Sequence, residues 1–207
     1  MRLQRWYSIT TKNQWYNRQS HDKYVKLAQK HGYRCRSAYK LFEIQEKFNI
    51  LRRNDTILDL GASPGGWSQV ASKYGNTISV DLLPMEPIDK CQIVTGDIHD
   101  EEIIREISQH NVNVVLSDMA HSFTGSRTLD VARMDELVEF AFSIANILLK
   151  PGGNFVAKYL QGSGEHGLRS MLENQFHSVS MFKPKACRKE STESYFICRG
   201  FKPINNI

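Results

Sequence analysis

Ile57-Leu58-Asp59-Leu60-Gly61-Ala62-Ser63-Pro64-Gly65-Gly66-Trp67-Ser68-Gln69 reads as a short buried strand that runs into a glycine-rich turn and then into a helix. Glycine lets backbone approach a ligand closely, and α/β folds bind nucleotides in the crevice at the carboxyl ends of parallel strands. A dinucleotide fingerprint spaces its glycines as Gly-x-Gly-x-x-Gly with a helix starting inside the run. Gly61-Ala62-Ser63-Pro64-Gly65-Gly66 departs from that spacing. This disfavours a pyrophosphate cradle and, with it, a nicotinamide-dependent reductase.

Outward from this stretch, short β-branched runs alternate with amphipathic segments, the pattern of an α/β domain with a mostly parallel sheet. The predicted strands run from Thr56 to Leu60, Thr77 to Leu82, Gln92 to Thr95, Val112 to Ser117 and Asn154 to Lys158. Helical spacing is read from Glu101 to Gln109 and from Met134 to Leu149, the second stopped by Lys150-Pro151-Gly152-Gly153. A helix from Ser37 to Phe48 with Leu41, Ile44 and Phe48 on one side precedes the sheet, and the runs from Ser178 to Phe182 and Ser194 to Phe201 predict a closing hairpin. Asp81 ends the second strand, where an acid can hold both hydroxyls of an adenosine ribose, and Asp97 ends the third, where it can accept from an adenine amino group. An acid at one strand end is also a common cap or turn former. Ligand-compatible residues at three successive strand ends are a more specific signal.

The chain's 207 residues fit one domain, which we place at residues 22–207 behind a basic segment, 1–21. Residues 1–40 hold ten Lys or Arg against the single acid Asp22, a net +9 that leaves −4 for the remainder. A basic arm on a mildly acidic body points to a polyanionic partner such as RNA. Arg2, Arg5, Lys12 and Arg18, with no acid among the first 21 residues, also read as a mitochondrial presequence, and Arg5-Trp6-Tyr7-Ser8 resembles a matrix-protease cleavage site. The expected location is therefore the mitochondrial matrix, or otherwise the cytoplasm. No apolar run reaches the ~20 residues of a membrane span. Cys35, Cys91, Cys187 and Cys198 lie far apart without a Cys-x-x-Cys pair, so neither a metal site nor a disulfide framework is indicated. With no coiled-coil heptad or extended apolar surface, a monomer is expected.

Together, Arg36-Ser37-Ala38-Tyr39-Lys40-Leu41, Asp59 to Gln69, Asp81-Leu82-Leu83-Pro84-Met85, Ser117-Asp118-Met119-Ala120, Lys158 to Gly162 and Glu193-Ser194-Tyr195 resemble the FtsJ/RrmJ family of ribose 2'-O-methyltransferases. The resemblance runs from about Arg34 to Phe201. It implies a Rossmann-like methyltransferase fold: a mostly parallel seven-stranded sheet with a terminal antiparallel hairpin and helices on both faces. It also implies S-adenosyl-L-methionine as cofactor, held by Gly61, Pro64, Gly65, Gly66, Trp67, Asp81, Asp97, Ile98 and Asp118. Lys40, Asp118, Lys158 and Glu193 match the family's Lys-Asp-Lys-Glu tetrad, in which Lys158 takes the proton of the attacking hydroxyl. A free lysine has a pKa of ~10.4, so a lysine base needs surroundings that favour its neutral form, to which a second cation such as Lys40 contributes. The carboxylates pull the other way and are read as orienting groups.

Two segments depart from the family pattern. His121 stands where proline is usual, which predicts a less rigid loop, and it is read as a surface histidine. Lys183-Pro184-Lys185-Ala186-Cys187-Arg188-Lys189 replaces a serine- and arginine-rich stretch. Lys23, Lys26, Lys30, Arg34 and Arg36 are expected on the same side as Lys40, forming a basic approach for RNA. Compact members of the family resemble enzymes acting on a uridine in the A-loop of large-subunit ribosomal RNA, so that RNA, or the assembling subunit, is the expected partner. A transfer-RNA anticodon-loop methyltransferase and a ribosome-assembly factor with secondary methylation are the alternatives.

Overall fold

The computed structural model describes residues 22–162 and 164–203; the presequence-like segment 1–21 lies outside them. In chain order the elements are α1 (Lys23–Lys30), α2 (Ala38–Phe48), β1 (Asp55–Leu60), α3 (Gly66–Ala71), β2 (Gly75–Asp81), β3 (Cys91–Thr95), α4 (Glu101–Ile107), β4 (Val112–Ser117), α5 (Arg127–Leu148), β5 (Leu149–Leu160), α6 (Glu165–Gln175), β6 (Phe176–Phe182) and β7 (Glu193–Phe201). One seven-stranded sheet takes the order β3-β2-β1-β4-β5-β7-β6. β1 to β5 are parallel, and β7 pairs antiparallel with both β5 and β6. The α/β fold with its terminal hairpin is as expected.

Strand alternation explains why the sheet is covered on both faces. Along β1, β4, β5 and β7, residues one apart feed opposite cores. Ile57, Val114, Leu116, Val156, Tyr195 and Ile197 pack with Leu41, Ile44, Trp67 and Val70 of α2 and α3. Leu58, Val115, Phe155, Ala157, Phe196 and Cys198 pack with Ile107, Val138, Ala141, Leu168 and Leu172 of α4, α5 and α6. Two cores thus clamp one sheet, and the carboxyl ends of its parallel strands are held at a common edge.

Two boundaries differ from the sequence reading by more than two residues, and one helix was missed. α5 begins at Arg127 rather than Met134. In its first turns the exposed Arg127, Thr128 and Leu129 obscure the apolar face, and the buried Asp130 occupies a place that an apolar residue would have marked. β5 begins at Leu149, because Leu149 pairs with Val112 and the register then shifts through the Pro151-Gly152-Gly153 segment before Asn154 meets Val114. α5 stops at Leu148 as expected, and the segment read as its stop forms a bulge within the strand that follows. α6 was not read at all: its buried side chains are Leu168, Leu172 and Gln175 in an otherwise polar segment.

Candidate active site

Gly61 closes β1 with φ +70°, and a Cβ there would lie 2.6 Å from Met119 Cγ and 2.9 Å from Met119 Cα. Backbone is all this position admits. Asp81, at the end of β2, accepts from the Ser63 amide at 2.8 Å and the Leu83 amide at 2.8 Å, tying the glycine turn to the neighbouring strand. Asp97 accepts from the amide (3.0 Å) and ring (2.7 Å) of His99, bonds that hold its carboxyl below the ordinary range. Gly61, Asp81, Asp97, Ile98, Asp118 and Met119 line a cleft of about 580 Å³ at this edge. Five of the residues assigned to the cofactor from sequence are thereby brought together.

Pro64, Gly65, Gly66 and Trp67 are placed behind the turn, outside the lining of this cleft. Arg34 Nη1 donates to the carbonyls of Pro64 (3.1 Å) and Glu86 (2.8 Å), and Nη2 to that of Pro87 (2.9 Å). A Cβ on Gly65 would meet that guanidinium, and one on Gly66 would meet Cys35 and Ser37. Trp67 is buried, donates from Nε1 to the Ser37 carbonyl at 2.9 Å and packs its ring 5.6 Å from that of Tyr195. These residues support the turn from the α2 side.

The tetrad converges at the carboxyl ends of β4 and β5. Lys158 Nζ lies 2.5 Å from the Asp118 carbonyl and 3.2 Å from Asp118 Oδ1. Lys40 Nζ, brought in by α2, lies 2.6 Å from Glu193 Oε1 and 3.9 Å from Asp118 Oδ1. Antiparallel pairing of β7 with β5 sets Glu193 opposite Leu160 and Tyr195 opposite Lys158, which is how a residue 35 positions further along the chain reaches the site. Burial disfavours charge on Lys40, but Asp118 and Glu193 outweigh it, and the Lys40 pKa is raised. For Glu193 burial pushes upward, and the Lys40 charge and hydrogen bond overcome it, drawing its pKa down to about 2. The Lys40–Glu193 pair is therefore ionised at neutral pH.

Tyr195 was read from sequence only as part of a motif, yet it joins the two acids. It is fully buried, its hydroxyl lies 2.8 Å from both Asp118 Oδ1 and Glu193 Oε1, and burial followed by those two charges holds its pKa well above the ordinary value. Cys187 donates to Glu193 Oε1 at 3.2 Å, and burial, then Glu193, pushes its thiol up to about 12. One expectation needs correction. Arg34 and Arg36 do not form an open basic face: Arg34 clamps carbonyls as above, while Arg36 pairs with Asp22 at 2.5 Å and donates to the Ala186 carbonyl. His121 lies on the loop, half-buried, with its Nε2 2.8 Å from the Asp130 carbonyl.

Residues 33–201 match the model of the FtsJ-like methyltransferases. The chain belongs to the FtsJ-like methyltransferase family. Over 199 residues it is 41% identical to a Gluconobacter oxydans protein named ribosomal RNA large subunit methyltransferase E, covering 94% of this chain and 74% of that one. The protein of the same name from Anaplasma phagocytophilum is 45% identical over 198 residues, covering 91% and 80%. Among solved structures, a Plasmodium falciparum protein described as a ribosomal RNA methyltransferase superposes with a TM-score of 0.72 at 30% identity, over 82% of this chain and 98% of that one. Human methyltransferase-like protein 13, solved with SAH, shares the fold at a TM-score of 0.54 and 12% identity, over 74% and 75%.

S-adenosylmethionine is the methyl donor of this FtsJ-like enzyme, and the cleft fits it. Gly61 keeps bare backbone at the cleft wall, packed against Met119. Each Asp81 oxygen accepts one backbone bond and keeps a lone pair for a ribose hydroxyl. Val80, Ile98 and Met119 supply apolar walls for a purine.

Proposed function

We propose that this enzyme methylates a ribose 2'-hydroxyl of large-subunit ribosomal RNA, at a uridine of the A-loop, and works in the mitochondrial matrix. The substrate reading is supported by the relatives named ribosomal RNA large subunit methyltransferase E. The presequence-like composition of residues 1–21 supports the location. The observation that carries the chemistry is the Lys158 amine held beside the cleft by two acceptors of Asp118.

The bound cofactor supplies a methyl group on a positively charged sulfur. As a ribose oxygen attacks in line, its proton must leave. A neutral lysine amine has two N–H bonds and one lone pair; at Lys158 the Asp118 carbonyl takes one N–H bond and the Asp118 carboxylate lies 3.2 Å away, which positions the amine so that its lone pair can accept the hydroxyl proton. Lys40 is fixed as a cation by Glu193 and shares the Asp118 carboxylate with Lys158. The Tyr195 hydroxyl sits between the two carboxylates and can give its single proton to either.

Transfer of labelled methyl to unmodified mitochondrial large subunits, free large-subunit RNA and transfer RNA, followed by mapping of 2'-O-methyl positions, tests the substrate. Label at an A-loop uridine is expected. Label on transfer RNA alone moves the substrate to the anticodon loop, and no label on any RNA contradicts the enzymatic reading in favour of an assembly factor.

A further inference from the structure

The loop from Met119 to Ser126 joins Asp118 to α5 and is braced along its length. Besides the His121 contact with the Asp130 carbonyl, Asp130 Oδ1 accepts from both the amide and the hydroxyl of Thr124 at 2.8 Å. Asp130 is itself buried, so these bonds fasten the loop to the first turn of α5. The rigidity that proline would have brought is supplied by hydrogen bonds.

Between the braces stands Phe123, 68% exposed. Among the described residues it is the one exposed Phe, Tyr or Trp; every other such ring is buried or half-buried. The His121 ring backs it at 5.3 Å between centroids. Its chain neighbours Ser122, Thr124, Gly125 and Ser126 are small or polar, so it is a lone ring on a fixed loop, unlike the broad apolar patch of a protein interface. The loop also borders the reaction site: Met119, Ala120 and Ser122 line the cleft, and Phe123 is five residues from Asp118.

We propose that Phe123 is a nucleobase-stacking site that takes a base flanking the methylated ribose. This rests on the RNA reading above. Seating a 2'-hydroxyl against Lys158 pulls its nucleotide out of the stack of its neighbours, and the unstacked base then needs a replacement surface. An exposed aromatic ring offers one to any base, whatever its hydrogen-bonding edge.

Phe123→Ala is expected to raise the KM for large-subunit RNA about 5- to 150-fold, the range of one base–aromatic stack, with the KM for S-adenosylmethionine unchanged. Phe123→Trp should restore wild-type KM, whereas Phe123→Leu, apolar without a π-face, should not. Recovery by leucine, or an unchanged RNA KM in the alanine variant, overturns the proposal; so does a matching rise in the cofactor KM. Oligouridylate tests the platform without turnover: quenching of the added tryptophan in Phe123→Trp, beyond any change in the wild-type signal, supports stacking, and its absence rejects it. Failure of the wild-type protein to methylate ribosomal RNA while that quenching persists overturns the substrate reading and leaves the stacking site supported.

Discussion

Asp59 sits fully buried beneath the cofactor turn, with Ser68 donating to its Oδ2 at 2.6 Å and no partner at Oδ1 among the described residues. Burial pushes its pKa up to about 7, opposed by Ser68 and reinforced by Asp118 and Asp81. Folding therefore favours the protonated acid: the stability this group contributes is complete below its ordinary value of 3.8 and is lost as pH rises through about 7. Asp59→Asn keeps an acceptor for Ser68 and cannot ionise. Thermal melts should show the variant gaining on wild type at about pH 8 relative to about pH 5; an equal difference at both would contradict the burial argument. At this scale the strand-end residues Asp81, Asp97, Asp118 and Lys158 were legible, because a parallel strand puts its last residues at one edge whatever the packing. Tyr195 and the clamp by Arg34 were not. Tyr195 acts across 77 positions of chain, through a hairpin whose register only the folded sheet fixes, and a cationic side chain reads the same in sequence whether it meets phosphate or carbonyl.

Among the elements, the β1 turn is the least replaceable. Gly61 and Gly32 both have positive φ, but a Cβ at Gly61 would strike Met119 while one at Gly32 would meet nothing within 4 Å. Gly32→Ala should cost only backbone strain, about 1 kcal/mol. Gly61→Ala adds a collision with the loop behind Asp118, and calorimetry should show S-adenosylmethionine affinity falling roughly tenfold or more. Equal effects of the two substitutions would mean that the close approach is unimportant. The elements read correctly from sequence were those whose apolar spacing is continuous, such as β1, β4 and α2. The early turns of α5 and all of α6 were hidden because polar groups, Asp130 and Gln175, are buried on their inner faces.

Over the whole molecule, the two cores hold five parallel strands with their carboxyl ends together, so the cofactor cleft and the tetrad share one edge, with Lys158 and Glu193 mounted on the sheet, Asp118 at the end of β4 and Lys40 on α2. With Arg34 and Arg36 engaged inside the protein, the cations of the expected basic approach that stay exposed are Lys23, Lys26 and Lys30 of α1. That division explains why net charge pointed to RNA while misplacing two of its contacts. We propose that Lys158, held by Asp118, takes the proton from a ribose hydroxyl. The most direct test is single-turnover methyl transfer to large-subunit ribosomal RNA at saturating S-adenosylmethionine, comparing wild type with Lys158→Ala. The variant should bind cofactor with unchanged affinity and react about 10² to 10⁴ times more slowly, whereas a rate near that of wild type would contradict the assignment.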